Sequence, residues 1–412
     1  MKKTKLEKRK LYQDLISTFG SPLYVYDAQL IEKQIKRLNS AFSGFDHKLH
    51  YAAKALNNQA ILKLVKSHGC GLDAVSIQEV ELGLLAGFPK EEILFTPSNT
   101  SFSEIEKAAE LGVHINIDSL SALRKFGQSK GGSFPVFIRI NPHILAGGNP
   151  KIQTGHIDSK FGISIFQLAE IEAIVKAFGI DVEGLHVHTG SEFLDAGVFL
   201  QGAQILFQAA KSFPELRYID FGSGFKVAYK EDDVVTPIEE LGRQLSEAIA
   251  EFQKTRTEAI QVWFEPGKFI VSESGTLLCT VTTLKRTPSS VFLGVDSGLN
   301  HLVRPMMYDA YHEIENISRT GPADHVYNVV GYICETDTLG YSRALPESQE
   351  GDILAIHNAG AYGFSMSSQY NSRLRPAEVL ILKGKPVLIR ERETLADLLR
   401  GQVDVEILHT GK

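Results

Sequence analysis

Eight short apolar runs, at residues 48–53, 71–75, 93–96, 114–117, 136–140, 184–188, 218–221 and 262–265, constrain this chain most. Each is too short for a helix of its own and apolar on both faces, which is how a strand buried in a parallel sheet reads. Amphipathic stretches separate them and carry helix-start signals. Ser76-x-x-Glu79 and Ser101-x-x-Glu104 read as capping boxes, and Thr236-Pro237-Ile238-Glu239 offers proline at the first helical position. Eight strands alternating with helices predict an α/β fold of the (β/α)8 TIM-barrel type, with a doubly wound open sheet as the competing arrangement.

After Gly275 the pattern changes. Residues 275–285, 290–295, 326–334, 352–358 and the pair 378–382 and 387–392 around Lys383-Gly384-Lys385-Pro386 read as strands and a hairpin with no long helix between them. The expected division is a barrel over residues 27–275 and a β-rich, sandwich- or barrel-like domain over 276–412, joined by an N-terminal strand near 21–26. A chain of 412 residues with 43% hydrophobic content can bury two cores of that kind.

Charge narrows the partners. The net charge is −6 and has no block structure, whereas neutralising nucleic-acid phosphates or an anionic membrane needs clustered Lys and Arg. The one basic cluster, Lys2–Lys10, reads as a frayed terminus. The start lacks a signal peptide's apolar stretch, and no apolar run reaches the roughly 18 residues of a membrane span, so a cytoplasmic location is the expectation. Cys70, Cys279 and Cys334 are too few and too scattered for a disulfide framework or a zinc site, and no metal is expected.

Polar residues cluster at one position in this frame. Lys54, Asp73, Arg139, His188, Gly222-Ser223-Gly224 and Glu265 all fall at or just past the carboxyl ends of expected strands, the face on which barrel active sites form. Each has an ordinary alternative: a turn residue, a surface ion pair, a buried histidine bonded to a carbonyl, turn glycines. Together they suggest one chemistry. A lysine held at a strand tip suits a Schiff-base nucleophile, and glycines ahead of a helix free N–H groups for a phosphate. A histidine can lie on a flat ring, and a carboxylate can keep a pyridine nitrogen protonated. That combination describes pyridoxal phosphate. The connection 141–162, rich in Gly, Pro, His and Asn, is long enough to be a functional loop.

Longer motifs surround these residues: Tyr51-Ala-Ala-Lys54-Ala, Ser159-Lys-Phe-Gly-Ile163, His186-Val-His188-Thr-Gly-Ser191, Glu265-Pro266-Gly267-Lys268, Val295-Asp-Ser-Gly-Leu-Asn300, Arg304-Pro-Met-Met-Tyr308, Cys334-Glu335, and Gly360-Ala-Tyr362 with Met366-Ser-Ser-Gln-Tyr-Asn371. Through them the chain resembles the fold type III pyridoxal-phosphate-dependent decarboxylases over nearly its whole length, and within them the branch that acts on diaminopimelate. The resemblance implies that Lys54 carries the cofactor and His188 stacks on its ring. It implies that Asp73, Arg139, Ser191, Gly222, Ser223, Gly224, Pro266, Gly267, Lys268 and Tyr362 complete the cofactor site, with Glu265 on the ring nitrogen. Cys334 would reprotonate the intermediate, reaching across a homodimer whose sites are shared between subunits. Lys268, Arg304, Tyr308, Glu335 and Tyr362 would bind a small amino-acid substrate. The implied reaction turns meso-2,6-diaminopimelate into L-lysine and carbon dioxide.

The chain departs from the family pattern in three places. Ser223 stands inside a turn that is usually three glycines. Lys268 stands where arginine is usual, and a lysine cannot make the bidentate fork. The segment Cys334-Glu-Thr-Asp-Thr338 is one residue short, leaving the role of Asp337 open. A related barrel enzyme acting on ornithine or arginine, an alanine racemase, and a non-catalytic pyridoxal-phosphate carrier are the alternatives. The carrier gives no reason for a second domain bearing Cys334, Arg304 and Tyr362.

Overall fold

The computed structural model describes residues 4–144, 155, 159–188, 190, 196–230 and 232–405. After strand β1 (Leu23–Asp27) come β2 (His47–Ala52), β3 (Gly71–Ala74), β4 (Ile93–Phe95), β5 (His114–Ile117), β6 (Val136–Asn141), β7 (Ile163–Ser164), β8 (Val182–His186), β9 (Tyr218–Asp220) and β10 (Gln261–Phe264). All eight expected barrel strands are among them, and β7 is a short addition paired to β6. They run parallel in the order β5-β4-β3-β2-β10-β9-β8-β6, and β5 pairs with β6. That last pairing closes the barrel and removes the open-sheet alternative.

Leu94, Phe137 and Trp263 fill the barrel interior, with Tyr218 packed against them. Phe137 and Trp263 have ring centroids 5.0 Å apart, and Gly184 makes room, since a Cβ there would lie 2.2 Å from the Phe137 ring. Phe137 and Tyr218 sit at the amino ends of their strands, so that end is plugged. The carboxyl end is left for a site.

Helix caps follow the sequence signals in part. The helix at Ala28–Ala41 starts on Asp27, whose carboxylate accepts the Gln29 N–H at 2.9 Å, and it buries Ile31, Ile35 and Leu38 along one face. Ser76 accepts the Glu79 N–H, but Glu79 takes the Val75 N–H rather than that of Ser76, so the box is only half formed. Ser101 makes no side-chain cap, its hydroxyl pairing with Ser103 instead. The helix at Ile238–Gln253 begins one residue after Pro237.

The remaining strands are β11 (Gly275–Arg286), β12 (Val291–Val295), β13 (Ile314–Asn316), β14 (His325–Val330), β15 (Thr338–Leu345), β16 (Ile353–Ile356), β17 (Ala377–Leu382) and β18 (Lys385–Arg390). They form a second sheet ordered β15-β14-β12-β11-β1-β17-β18, with β16 on β11 and β13 on β16. β1 belongs to it as well, lying between antiparallel β11 and parallel β17. The β17–β18 hairpin turns on Lys383 and Gly384, both at positive φ. The run expected over 326–334 stops at Val330, so Cys334 is not on a strand.

The basic N-terminal cluster corrects an expectation. From Lys5 it is not frayed but part of a helix, α1 (Lys5–Phe19), closed by a capping box between Thr4 and Glu7. Tyr12 and Leu15 pack on Leu278, Val379 and neighbouring side chains of the second sheet, and Arg9 pairs with Glu315 at 2.7 Å. Tertiary contacts order this helix. No helix among the described residues is long and apolar enough to cross a membrane.

Candidate active site

Lys54 follows β2 on a single 3-10 turn, Ala53–Ala55. Parallel pairing sets Ala52 opposite Asp73, and the lysine Nζ donates to Asp73 Oδ2 at 3.1 Å. Asp73 is fully buried and also accepts from the Thr96 hydroxyl. Burial pushes the Lys54 ammonium toward losing its proton, but Asp73, Tyr362 and Glu265 outweigh it and hold the group above its ordinary value. Burial and Glu265 raise Asp73, while Lys54 and Thr96 oppose them. The barrel therefore presents a lysine steered from below by a carboxylate.

Glu265 follows β10 and is buried. Its Oε2 lies 3.2 Å from His186 Nε2, whereas Oε1 has no partner and the residue faces the same cavity as Lys54. Its N–H donates to the Gly222 carbonyl at 2.7 Å. Gly222 itself requires glycine twice over. It has φ +62, and a Cβ would come within 2.5 Å of His188 Nδ1 and 2.9 Å of the Val187 carbonyl. Its N–H donates to Asp220 Oδ1 at 2.7 Å.

Ser223, between Gly222 and Gly224, takes no positive φ, and its N–H donates to His188 Nδ1 at 3.2 Å. The usual third glycine is thus dispensable in this turn. Accepting that bond makes His188 Nδ1 the unprotonated nitrogen, and burial with Arg139 nearby holds the ring well below its ordinary pKa. The imidazole is neutral and fixed in its tautomer. Arg139 is buried with its guanidinium 4.8 Å from the Phe161 ring, on the cavity wall. Ser191 lies outside the described residues.

The Pro266-Gly267-Lys268 segment turns back against Lys54. The Pro266 carbonyl accepts from Ala52, and a Cβ on Gly267 would meet Ala52 and Ala55 at 3.0 Å. Lys268 lines the cavity, which holds about 740 Å³.

Connections between strands of the second sheet supply further lining: Arg304 and Tyr308 from the short helix Arg304–Tyr308, and Tyr362 from the segment after β16. Tyr362 adopts φ +55, held by its N–H to the Ala55 carbonyl at 2.9 Å. A left-handed tyrosine bonded to the lysine turn is a strained residue on the cavity wall. Arg304 is buried and donates to the Tyr229 hydroxyl at 3.3 Å, with the Tyr229 and Tyr308 rings 5.3 and 5.9 Å from its guanidinium and its Nε without a partner.

Two expected residues are elsewhere. Cys334 and Glu335 are exposed and do not line the cavity. Cys334 Sγ lies 3.4 Å from Glu335 Oε2 and 3.2 Å from Asn371 Nδ2, and Glu335 accepts from Tyr370. Asp337, whose role the sequence left open, anchors its loop by accepting the Leu299 and Ile333 N–H groups at 2.7 and 2.9 Å.

Thr96, His186, Lys226 and Tyr229 belong to the site but were not among the sequence candidates. Thr96 and His186 were within reach, the first closing an expected strand and the second opening a quoted motif. Lys226 and Tyr229 lie on the connection after β9, where no periodicity marks a direction.

Residues 28–272 match the family model described as "Pyridoxal-dependent decarboxylase, pyridoxal binding domain". The diaminopimelate decarboxylase of Methanothermobacter thermautotrophicus is 38% identical over 403 residues, covering 94% of this chain and 93% of the relative. The diaminopimelate decarboxylase of Bacillus subtilis is 33% identical over 404 residues, covering 94% and 92%. The crystal structure of the Helicobacter pylori diaminopimelate decarboxylase complexed with L-lysine superposes with a TM-score of 0.87 at 34% identity, covering 94% of this chain and 98% of that one. With a closed barrel, a lysine at its carboxyl end and near full-length similarity of this kind, the chain belongs to the diaminopimelate decarboxylase family of pyridoxal-dependent decarboxylases.

Proposed function

We propose that this protein decarboxylates meso-2,6-diaminopimelate to L-lysine and carbon dioxide with pyridoxal phosphate as cofactor. The observation that carries the reading is one cavity holding Lys54 on Asp73, a buried carboxylate oxygen of Glu265 without a partner, and Arg304. An acceptor of that kind suits a ring N–H, and burying it unpaired costs about 1–3 kcal/mol otherwise. Six cationic side chains and three carboxylates line the cavity, a balance that suits a phosphate together with substrate carboxylates. When bound, the cofactor supplies an electron sink for the pair left behind by the departing carboxylate.

The chain's own residues do the rest. Lys54 would hold the cofactor through Nζ, and Asp73, whose Oδ2 accepts from that Nζ, steers it and can take up the proton that the ammonium gives up. His188, Arg139, Ser191 and the turn Gly222–Ser223–Gly224 hold ring and phosphate with Tyr362. Glu265, backed by Pro266 and Gly267 in a close-packed turn, keeps the ring nitrogen protonated. Arg304, with Tyr308 and Lys268 beside it, binds the carboxylate at the substrate's unreacting end, which distinguishes a distal amino acid from a simple diamine. Cys334 donates the proton that completes the product, and Glu335 accepts from the distal ammonium.

Both of those residues lie off this chain's cavity, so they serve the cavity of a second copy, and the working unit is a homodimer. Residues 27–275 form the cofactor domain, and 276–412 with the strand near 21–26 form the domain that completes the substrate pocket. The test incubates purified protein and pyridoxal phosphate with meso-diaminopimelate, lysine, ornithine and arginine and identifies the amines formed. Lysine from meso-diaminopimelate is the expected product. Preferential release of putrescine from ornithine would overturn the reading.

A further inference from the structure

At the cavity wall, beside the carboxylate assigned to the ring nitrogen, His186 and Asp220 have no assigned part. His186, Asp220 and Glu265 close three neighbouring strands, β8, β9 and β10, and their polar atoms lie within 4.8 Å of one another, all buried. Glu265 Oε2 is 3.2 Å from His186 Nε2. Three further atoms have no partner: Glu265 Oε1, His186 Nδ1 and Asp220 Oδ2.

Chemistry decides which atom of the 3.2 Å contact donates. Two carboxyl groups this close do not both ionise. Burial and Glu265 raise Asp220 well above the ordinary carboxyl range; burial raises Glu265 as well, but there the Lys54 and Arg139 charges oppose it. Asp220 therefore keeps the proton and Glu265 is the anion, which can only accept. Burial and the Arg139 charge hold His186 neutral, so it has a single N–H. For the contact to be a hydrogen bond, that N–H is on Nε2.

We propose that His186 is a positioning residue for Glu265, its Nε2–H occupying Oε2 so that Oε1 alone is turned to the cavity as acceptor for the ring nitrogen. The inference rests on the reading above that Glu265 meets that nitrogen. It explains why the carboxylate has one satisfied and one unsatisfied oxygen. Without the histidine both oxygens would be loose, and the carboxylate would have no fixed rotamer to present.

The test compares binding of two aldehydes to protein stripped of cofactor: pyridoxal phosphate and its 1-deaza analogue, which has carbon in place of the ring nitrogen. The parent is expected to prefer the natural compound by about tenfold or more, the scale of one hydrogen bond to a charged group. His186→Leu should collapse that preference, and His186→Gln, which keeps an N–H donor, should restore most of it. A Leu variant that folds and keeps the parent's preference would overturn the role of His186. A parent that shows no preference would overturn the Glu265 reading itself, and the proposal with it. If the Leu variant does not fold, nitrogen NMR of the unmutated, cofactor-free protein decides: a proton on His186 Nε2 supports the proposal, and one on Nδ1 refutes it.

Discussion

The carboxyl face of the barrel and the exposed corner around Cys334 are built on opposite plans. On the barrel, each functional group has a buried partner in the same chain: Lys54 has Asp73, His188 has the Ser223 N–H, and Glu265 has His186. At the corner, Cys334, Glu335, Tyr370 and Asn371 bond mainly to one another and stand in solvent. Preorganised electrostatics need exclusion of water, so the first region can orient a cofactor unaided and the second cannot act until something covers it. On the proposed reading, half of the chemistry is complete in one chain, and half needs a second copy.

The largest expected effect tests the self-sufficient half. Lys54→Ala should lower turnover by more than about 10³-fold, the scale on which a lost catalytic group registers, while the protein stays folded because the change removes no core packing. Borohydride reduction of the cofactor-loaded parent followed by peptide mapping should place the pyridoxyl group on Lys54. Recovery of the label on Lys160 or Lys268, which line the same cavity, would break the assignment.

Arg304 is the link between the two halves of the chain, since the short helix that carries it lies between β12 and β13 but the side chain lines the cavity that holds Lys54. Arg304→Ala leaves a substrate carboxylate desolvated and unpaired, a loss of about 2–5 kcal/mol, which at about 1.4 kcal/mol per tenfold predicts a fall in kcat/KM of roughly 30-fold to several thousand-fold for meso-diaminopimelate. Lysine, which has no distal carboxylate, should lose far less. Equal losses on both substrates would mean that Arg304 supports the fold of the pocket rather than choosing its ligand.

The corner's dependence on a partner predicts recovery. Lys54→Ala and Cys334→Ala chains are each inactive, but mixed and allowed to exchange they should regain about a quarter of the parent's specific activity, because half of the dimers are mixed and each has one whole site. No recovery after proven exchange would remove the contrast between the two regions.

The same contrast governs what could be read from sequence. The eight barrel strands were legible because each is largely buried on both faces and reads as a short, mainly apolar run, even where a polar residue such as Asp73 or Arg139 interrupts it. In the second sheet length did not decide: four-residue β16 lies inside the expected run 352–358, whereas eight-residue β15 was not foreseen. β15 hides because Ser342 interrupts it at positive φ and its middle is exposed, and β13 has three residues. α1 was misread because its charged residues dominate and only Tyr12 and Leu15 are buried, so its order comes from docking rather than from a periodic apolar face. Among site residues, Lys54 and Glu265 stand at strand ends and could be placed. Tyr229 and Lys226 could not, because a connection has no period from which to infer direction.

The smallest expected effect uses α1 to separate the two regions by acid. Burial alone would raise the Glu315 carboxyl on β13, but hydrogen bonds from His357, Arg9 and Lys5 outweigh it and hold the pKa near 2, below the ordinary 4.5. A carboxyl depressed by folding contributes stability that is present above its unfolded value and is lost as pH falls through the folded one. Docking of α1 on the second sheet should therefore weaken between about pH 4.5 and 2. The contribution is about 1 kcal/mol or less, because Lys5 is mostly exposed and solvent screens the group. Trp263, the one tryptophan, is buried in the barrel interior, so its fluorescence reports that region alone. Protease cleavage within α1 should appear at a higher pH than any change in Trp263 emission, and Glu315→Gln should remove most of the pH dependence of that cleavage. If cleavage and emission change together in the parent, the two regions unfold as one unit and the N-terminal helix has no separate acid response.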